Sequence, residues 1–125
     1  MLLFGTEHRM DLMSTPEGQA FLDVLAAGEA DSVVCYNDAF ALGLLSELEK
    51  RNVRIPEQLG VISFDNSAYA EMARPRLTSF QHPKEAFGEA VARKMLRMID
   101  GLKEESVKMA WTLVERDSLP QVNRT

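Results

Sequence analysis

Two pairs of amide and carboxylate side chains follow short apolar runs in this sequence. Asn37 and Asp38 come directly after Val-Val-Cys-Tyr, and Asp65 and Asn66 come directly after Val-Ile-Ser-Phe. Carboxylate and amide groups accept and donate hydrogen bonds in planar pairs, which suits the vicinal hydroxyls of a polyhydroxylated molecule. These residue types therefore favour binding of a ligand such as a sugar.

The apolar runs before these residues have the character of β-strands. Each run is short and rich in β-branched residues, whereas the segment 40–49 between them has helical periodicity. This pattern predicts a βαβ unit in an α/β fold, with parallel strands in a small buried sheet. Because ligands of such sheets bind outside the carboxyl ends of the strands, we expect the two polar pairs to gather at that edge.

Three of these four polar residues also have a structural role open to them. Asn37 is a good N-cap for the helix that follows, and Asp38 lies where the positive end of the helix dipole favours an anion. Asp65 is placed to cap a short helix beginning near Ser67. The sequence leaves capping and ligand binding open for all three residues.

Periodicity and turn residues predict the remaining elements of the chain. Ser14 and Glu17 are spaced as a capping box at the start of a helix, and Gly28 is placed to close that helix. The further predictions are strands over 2–5, 77–81 and 107–113 and helices over 14–27, 67–73 and 83–101.

Composition limits the classes of function. The chain has 125 residues, enough for a single modest domain. Asp and Glu number 19 against 14 Lys and Arg, which gives a net charge of -5, and no extended basic cluster occurs. This segment by itself is therefore not expected to bind DNA. The single cysteine, Cys35, lies in a predicted buried strand and excludes an internal disulfide.

The amino terminus and the hydropathy pattern bear on location. Residues 1–4 are apolar but lack the basic leader and the long apolar core of a signal peptide. No stretch approaches the length of a membrane span. We expect a soluble cytoplasmic protein with no membrane contact.

An enzymatic interpretation starts from Asp38 and Asp65. Clustered carboxylates at adjacent strand ends suit magnesium, as in receiver-type and phosphatase-like domains. The sequence lacks the partners of such chemistry, since it contains no glycine-rich phosphate loop, no Cys/His metal spacing and no Gly-x-Ser-x-Gly nucleophile motif. We therefore expect no catalytic residues, no metal and no cofactor.

Three linked segments agree in order and spacing with a known family. They are Val-Val-Cys-Tyr-Asn-Asp-Ala-Phe-Ala-Leu-Gly over 33–43, Ile-Pro-Glu-Gln-Leu-Gly-Val-Ile-Ser-Phe-Asp-Asn over 55–66 and Leu-Thr-Ser-Phe-Gln-His-Pro over 77–83. The chain resembles, over about 16–118, the effector-binding core of LacI-family transcriptional regulators. The Tyr-Asn-Asp and His-Pro-Lys motifs are most similar to arabinose-repressor-type members, in which this core is fused to a winged-helix domain of the GntR class.

The resemblance implies a fold and a site. The chain would be the carboxyl-terminal lobe of a type I periplasmic-binding-protein-like core, forming one effector-binding and dimerisation lobe. Asn37 and Asp65 match family positions at the effector cleft, with Asp38 and the flanking ring of Phe64 beside them. His82 lies where the chain crosses between lobes, and many relatives carry glutamine there. We expect His82 to be a further effector contact, with a purely structural role as the alternative.

The resemblance also implies interfaces. Leu42, Tyr69, Met72 and Ala73 fall at positions of the dimer interface of family members, although Leu42 could equally belong to the core. In complete members the helix over 83–101 packs on an amino-terminal lobe that this chain does not match. We expect this helix to pack against a second copy, or to fold back on its own sheet in a position that the family does not use.

The implied function is effector sensing and dimerisation within a bacterial transcriptional regulator. The effector would be a sugar such as arabinose or a related metabolite, and DNA would be bound only by a domain outside this chain. Two alternatives stay open. One is a sugar-binding protein of a transport system, which shares the fold, and the other is a receiver-type domain whose acidic pair holds magnesium.

Overall fold

The computed structural model describes residues 11–121, so the strand predicted over 2–5 lies outside the described residues. Helices and strands alternate along this part of the chain. The strands are β1 (Ser32–Val34), β2 (Gly60–Phe64), β3 (Thr78–Gln81) and β4 (Thr112–Val114). The helices are α1 (Pro16–Ala26), α2 (Asp38–Lys50), α3 (Ala68–Met72) and α4 (Lys84–Ile99). None of these described helices is long and apolar enough to cross a membrane.

The strands form one sheet in the order β1-β2-β3-β4. β1, β2 and β3 are parallel, with Val34 opposite Ile62 in the first pair. This arrangement confirms the predicted βαβ unit and the α/β fold. β4 joins antiparallel to β3 and pairs Thr112 with Gln81.

The last strand is shorter than the alternating pattern over 107–113 predicted. Residues 107–111 form no strand. β3 ends at Gln81, whose partner is Thr112, so no strand continues beside the residues that come before Thr112. An alternating pattern becomes a strand only where a neighbour supplies partners for its backbone groups.

The hydrophobic core is formed by residues of α1, α2 and the sheet. Leu22 of α1, Leu44 and Leu48 of α2, Val61 of β2 and Leu77 before β3 have no exposed surface. The buried residues of α2 recur at helical spacing, so one face of that helix enters the core. Burying each large apolar side chain contributes roughly 1.5–3 kcal/mol, and this packing holds α2 against the sheet whose edge carries the polar residues.

The amino-terminal cap of α1 differs from the predicted capping box. Thr15 rather than Ser14 is the cap, and its Oγ1 accepts a 3.1 Å hydrogen bond from the amide of Gly18. The prediction is displaced by one residue, since Pro16 takes the first helical position and the cap directly precedes it. Gly28 follows the helix with a φ of +74°, as predicted for its closing residue.

Helix α4 lies outside this core. None of its residues is buried, and Leu96 and Ile99 are 65% and 76% exposed. The prediction that this helix folds back on its own sheet is therefore wrong. Its neighbour is the segment that follows it, because Glu104 forms ion pairs with Lys94 and Arg97. Packing of α4 against a second copy stays a prediction.

The division between core and exposed helix predicts unequal mutational costs. Leu48→Ala should lower the free energy of unfolding by about 2–5 kcal/mol, because it leaves a cavity in a buried core. Leu96→Ala should change that of a single copy by less than about 0.5 kcal/mol, because within one copy that side chain is largely in solvent. Urea unfolding followed by circular dichroism measures both values. A cost for Leu96→Ala as large as that for Leu48→Ala would show that α4 is buried in solution.

Candidate ligand-binding site at the carboxyl edge of the sheet

The polar residues that follow the strands meet at one edge of the sheet, as predicted. β1 and β2 run parallel, so Asn37 after β1 and Asp65 after β2 lie at their shared carboxyl edge. β3 ends at the same edge with Gln81. The amide of Asp65 donates a 2.8 Å hydrogen bond to the carbonyl of Phe80, next to Gln81. This edge is the candidate ligand-binding site.

Asp38 is the buried anchor of this edge. It lies in the first turn of α2 with no exposed surface. Its Oδ1 accepts hydrogen bonds from the hydroxyls of Ser63 and Ser79, at 2.5 and 2.7 Å. Its Oδ2 accepts from the amide and the hydroxyl of Ser67, at 2.6 and 2.9 Å. A ligand does not reach so enclosed a carboxylate, contrary to the expectation of a direct effector contact, and Asp38 instead joins α2 to β2, β3 and the loop after β2.

The negative charge of Asp38 is stabilised in place. Burial alone would raise the pKa of Asp38, but the hydrogen bonds from Ser63, Ser79 and Ser67 outweigh burial and hold the pKa below its ordinary value. The positive end of the α2 dipole favours the same charge. The carboxylate is therefore ionised at neutral pH.

The loop after β2 is held through three successive backbone amides. The amide of Asp65 bonds a carbonyl of β3, that of Asn66 bonds the hydroxyl of Ser79 at 3.0 Å, and that of Ser67 bonds Asp38. Asp65 and Asn66 both have positive φ values, of 99° and 47°. Positive φ is uncommon outside glycine, although Asp and Asn adopt it more readily than other residues, and strained backbone positions of this kind cluster at ligand sites.

The fixed loop presents the carboxylate of Asp65 without a partner. Asp65 is half-buried, and no residue in the described part of the chain donates a hydrogen bond to its carboxylate. The alternative that Asp65 caps a helix is wrong, because Ser67 is the N-cap of α3 and no side chain completes that cap. The carboxylate of Asp65 is therefore available to accept hydrogen bonds from a ligand.

Asn37 combines a structural role with a free donor. Its Oδ1 accepts a 2.8 Å hydrogen bond from the amide of Phe40 and caps α2, which confirms the capping alternative. Its Nδ2 has no acceptor within residues 11–121. The same side chain can therefore cap the helix and donate to a ligand.

An aromatic cluster borders the polar residues. The ring of Phe64 stacks on Phe80 with 5.0 Å between centroids and meets Trp111 edge to face at 5.5 Å. The ring of His82 lies 5.1 Å from Trp111. Because His82 precedes α4 and Trp111 follows it, this cluster joins the two chain segments that connect the sheet to α4.

The serines that hold Asp38, and Arg116, were not among the residues expected at this edge from the sequence. Ser63 and Ser79 are both fully buried, and a serine within the apolar run of β2 could have indicated a buried polar partner. The side chain of Arg116 is only 9% exposed and donates a 2.6 Å hydrogen bond to Asn66. No local pattern indicates that contact, because the two residues are 50 positions apart.

The residues predicted for a dimer interface differ in exposure. Tyr69 and Met72 on α3 are 48% and 70% exposed, so they are available to another molecule. Leu42 is half-buried and packs against the core. Ala73 belongs to the core and is 1% exposed, so its side chain is not available to an interface.

The hydrogen bonds of Asp38 predict a cost even for an isosteric replacement. Asp38→Asn should lower the free energy of unfolding by roughly 1–3 kcal/mol at neutral pH, because the new amide turns donors toward the donors of Ser67 or Ser79. Asp31→Asn, at an exposed carboxylate before β1, is the matched control and should cost less than about 0.5 kcal/mol.

The pH dependence of the stability of Asp38→Asn tests whether Asp38 is ionised in the folded protein. The pKa of Asp38 is lowered in the folded protein. The ionised carboxylate therefore contributes fully to the free energy of unfolding above the ordinary aspartate pKa of about 3.9, and this contribution is lost as the pH falls through the lower folded value. Urea unfolding should show a stability gap between wild type and Asp38→Asn that closes on acidification. A gap of constant size down to acid pH would contradict an ionised Asp38.

Comparison with known proteins places this arrangement in a family. Residues 5–119 match the family described as periplasmic binding protein-like domain. The chain is 35% identical over 96 residues to the HTH-type transcriptional repressor PurR of Vibrio cholerae, which covers 75% of this chain and 29% of the repressor. It is 37% identical over 68 residues to the arabinose metabolism transcriptional repressor of Halalkalibacterium halodurans, which covers 54% of this chain and 18% of that protein. The chain thus spans less than a third of these curated relatives.

A solved structure has the same fold. It is the periplasmic binding protein/LacI transcriptional regulator of Alkaliphilus metalliredigens in complex with D-xylulofuranose. The similarity has a TM-score of 0.73 at 25% identity and covers 94% of this chain and 44% of that one. The chain therefore belongs to the family of periplasmic binding protein-like domains, in the form that makes up part of the effector-binding core of LacI-type transcriptional regulators.

Proposed function

We propose that this chain senses a small-molecule effector within a bacterial transcriptional regulator. The family match and the relatives, which are named as transcriptional repressors, support this function. A sugar is the proposed effector class, because the similar Alkaliphilus protein is described in complex with D-xylulofuranose. Arabinose is the specific candidate, supported by the similarity to an arabinose repressor. DNA is bound in the cytoplasm by a domain outside these residues.

The observation that carries this proposal is the carboxylate of Asp65. Asp65 lies at the carboxyl edge of the parallel strands and has a φ of 99°. No group in the described chain donates a hydrogen bond to its carboxylate. Maintaining a strained backbone and a half-buried carboxylate without a partner costs stability. A ligand that donates hydrogen bonds to the carboxylate offsets that cost, as hydroxyl groups of a sugar would.

The neighbours of Asp65 complete a surface that suits a sugar. Nδ2 of Asn37 is a donor at the same edge, and the rings of Phe64 and Trp111 give an apolar border for ring carbons. Asp38 acts as a positioning residue, since it holds the loop through Ser67 and does not touch the ligand. His82 is proposed as a further contact from the segment that leaves the sheet.

The proposed response to the effector is closure across the aromatic cluster. The chain passes between the sheet and α4 only at the end of β3 and at the start of β4, where His82 and Trp111 lie against each other. A ligand that binds Asp65 and also contacts groups on the far side of His82 and Trp111 favours one orientation of the sheet relative to α4. Such a population shift is limited by the difference in affinity for the two orientations.

A homodimer is part of the proposal. Tyr69 and Met72 expose apolar surface on α3, with Leu42 half-buried on α2. Two copies that bury this surface would place two effector sites in one regulator, as expected for a symmetric assembly.

The two rival functions receive less support. The relatives are named as repressors, which favours a regulator over a transport protein. A receiver-type site needs a carboxylate that is open to magnesium, whereas Asp38 is enclosed by four hydrogen bonds. Within the described residues, no group of three or more His, Cys, Asp or Glu side chains is placed to hold a metal ion. We propose no catalytic step for this chain.

Replacing Asp65 tests the proposed function. Asp65→Asn should weaken binding of the cognate sugar roughly ten- to a hundredfold, because a hydrogen bond to a charged group contributes about 1.5–3 kcal/mol. L-arabinose, D-xylulose and sucrose are titrated into the labelled chain and followed by NMR shift changes, which detect weak binding. Asp31→Asn, at the amino end of β1, is the control and should bind as wild type does. Equal sugar affinity in wild type and Asp65→Asn would overturn the effector site.

A further inference from the structure

A relay of hydrogen bonds runs from the largely buried side chain of Arg116 to the open edge of the sheet. Nη2 of Arg116 donates to Oδ1 of Asn66 at 2.6 Å, and Nδ2 of Asn66 donates to Oε1 of Gln81 at 3.0 Å. Gln81 is the last residue of β3 and is exposed. None of the described residues accepts a hydrogen bond from its Nε2.

The first member of the relay decides the orientation of the other two. A guanidinium group carries only donors, so Asn66 must turn its oxygen toward Arg116 and its amino group toward Gln81. The amino group of Asn66 is likewise only a donor, so Gln81 must turn its oxygen toward Asn66. The two N–H donors of Gln81 are then directed to the open side of the relay.

Both supports of the relay are held by further hydrogen bonds. The guanidinium of Arg116 also donates to the carbonyl of Leu77 at 2.8 Å, and its backbone amide donates to Oγ1 of Thr78 at 2.9 Å. Asn66 has a φ of 47°, and its amide is bound to Ser79. With Arg116 and Asn66 both fixed, Gln81 has one favoured amide orientation rather than two.

Gln81 lies directly beside the proposed acceptor of the effector site. The amide of Asp65 bonds the carbonyl of Phe80, the residue before Gln81. The edge therefore carries the carboxylate of Asp65, which only accepts hydrogen bonds. Beside it, at the end of β3, lies the amide of Gln81, whose donors face outward. The two groups are complementary in what they offer a ligand.

We infer that Gln81 is a specificity-determining residue of this site, with its donor face set by Arg116 and Asn66. The inference rests on the proposed effector function. The matching ligand places a hydroxyl against Asp65 and an accepting oxygen against Gln81. An oxygen that bears no hydrogen can be held there by an amide but not by a carboxylate. A sugar in ring form has such an oxygen in its ring, and a ketose or a glycoside has one in its carbonyl or glycosidic bond. In an alditol every oxygen bears a hydrogen, so each can accept from Gln81 and could equally donate to an acceptor placed there.

The orientation of Gln81 is tested without ligand by hydrogen exchange of side-chain amide protons, measured by NMR. Asn66→Asp keeps an acceptor for Arg116 but gives Gln81 an acceptor in place of a donor, so Gln81 turns over and donates to it. The Gln81 amide protons should exchange freely in wild type and several-fold more slowly in Asn66→Asp. Gln81 protons that are already protected in wild type and unchanged in the variant would overturn the relay.

The role of Gln81 in selection is tested with D-xylulose and xylitol as probes, followed by NMR shift changes of the full chain. Gln81→Glu replaces the donors by an acceptor, so the affinity for D-xylulose should fall about tenfold relative to that for xylitol. Gln58→Glu adds the same charge in the loop before β2, where its oxygen accepts from the amide of Arg54, and should leave the ratio unchanged.

The outcomes separate this inference from the proposed function. NMR shift changes at Asp65 and at the Gln81 side chain, with a ratio of D-xylulose to xylitol affinity that changes only in Gln81→Glu, support both the effector site and the role of Gln81. Shifts at Asp65 with an unmoved Gln81 amide and an unchanged ratio overturn the role of Gln81 and leave the effector site in place. No shift at Asp65 with either probe overturns the site for this ligand class and, with it, selection by Gln81.

Discussion

The burial of one charged carboxylate, that of Asp38, is the constraint on which this edge of the fold depends. A buried charge is tolerated only when it is fully hydrogen-bonded, and Asp38 satisfies this condition with three serines from β2, β3 and the loop after β2. Ser63 and Ser79 donate one hydrogen bond each and Ser67 donates two, and these four bonds bring the amino end of α2 onto the carboxyl ends of two strands. The need to satisfy this charge therefore fixes the geometry of the edge.

The structure separates the residue that holds the edge from the residues that face outward. Asp38 has no free oxygen, whereas Asp65, in the adjacent loop, has a carboxylate with no partner in the described chain. Two adjacent residues with positive φ link these roles, because their amides are bound to β3 while the next amide is bound to Asp38. The energy of the buried network thus maintains a backbone that would otherwise relax.

The parts of the fold that depend on local pattern could be predicted from the sequence. The βαβ unit, the cap by Asn37 and the closing Gly28 follow from periodicity and local hydrogen bonding. The parts that depend on distant contacts could not be predicted in the same way. The partners of Asp38 lie 25 to 41 positions away and Arg116 lies 50 positions from Asn66, so no window of sequence contains both members of either contact. Periodicity predicts the helix α4, but a local pattern does not specify which surface covers its apolar side chains.

The central claim is that Asp38 holds the loop after β2 in the conformation that presents Asp65. Backbone amide hydrogen exchange in Asp38→Asn, compared with wild type, tests this claim most directly, with the core amide of Val61 as an internal reference. We predict that the amides of Asp65, Asn66 and Ser67 all lose protection relative to Val61, because the loop relaxes when its anchor is replaced. Loss of protection at Ser67 alone, with Asp65 and Asn66 as protected as in wild type, would contradict the account.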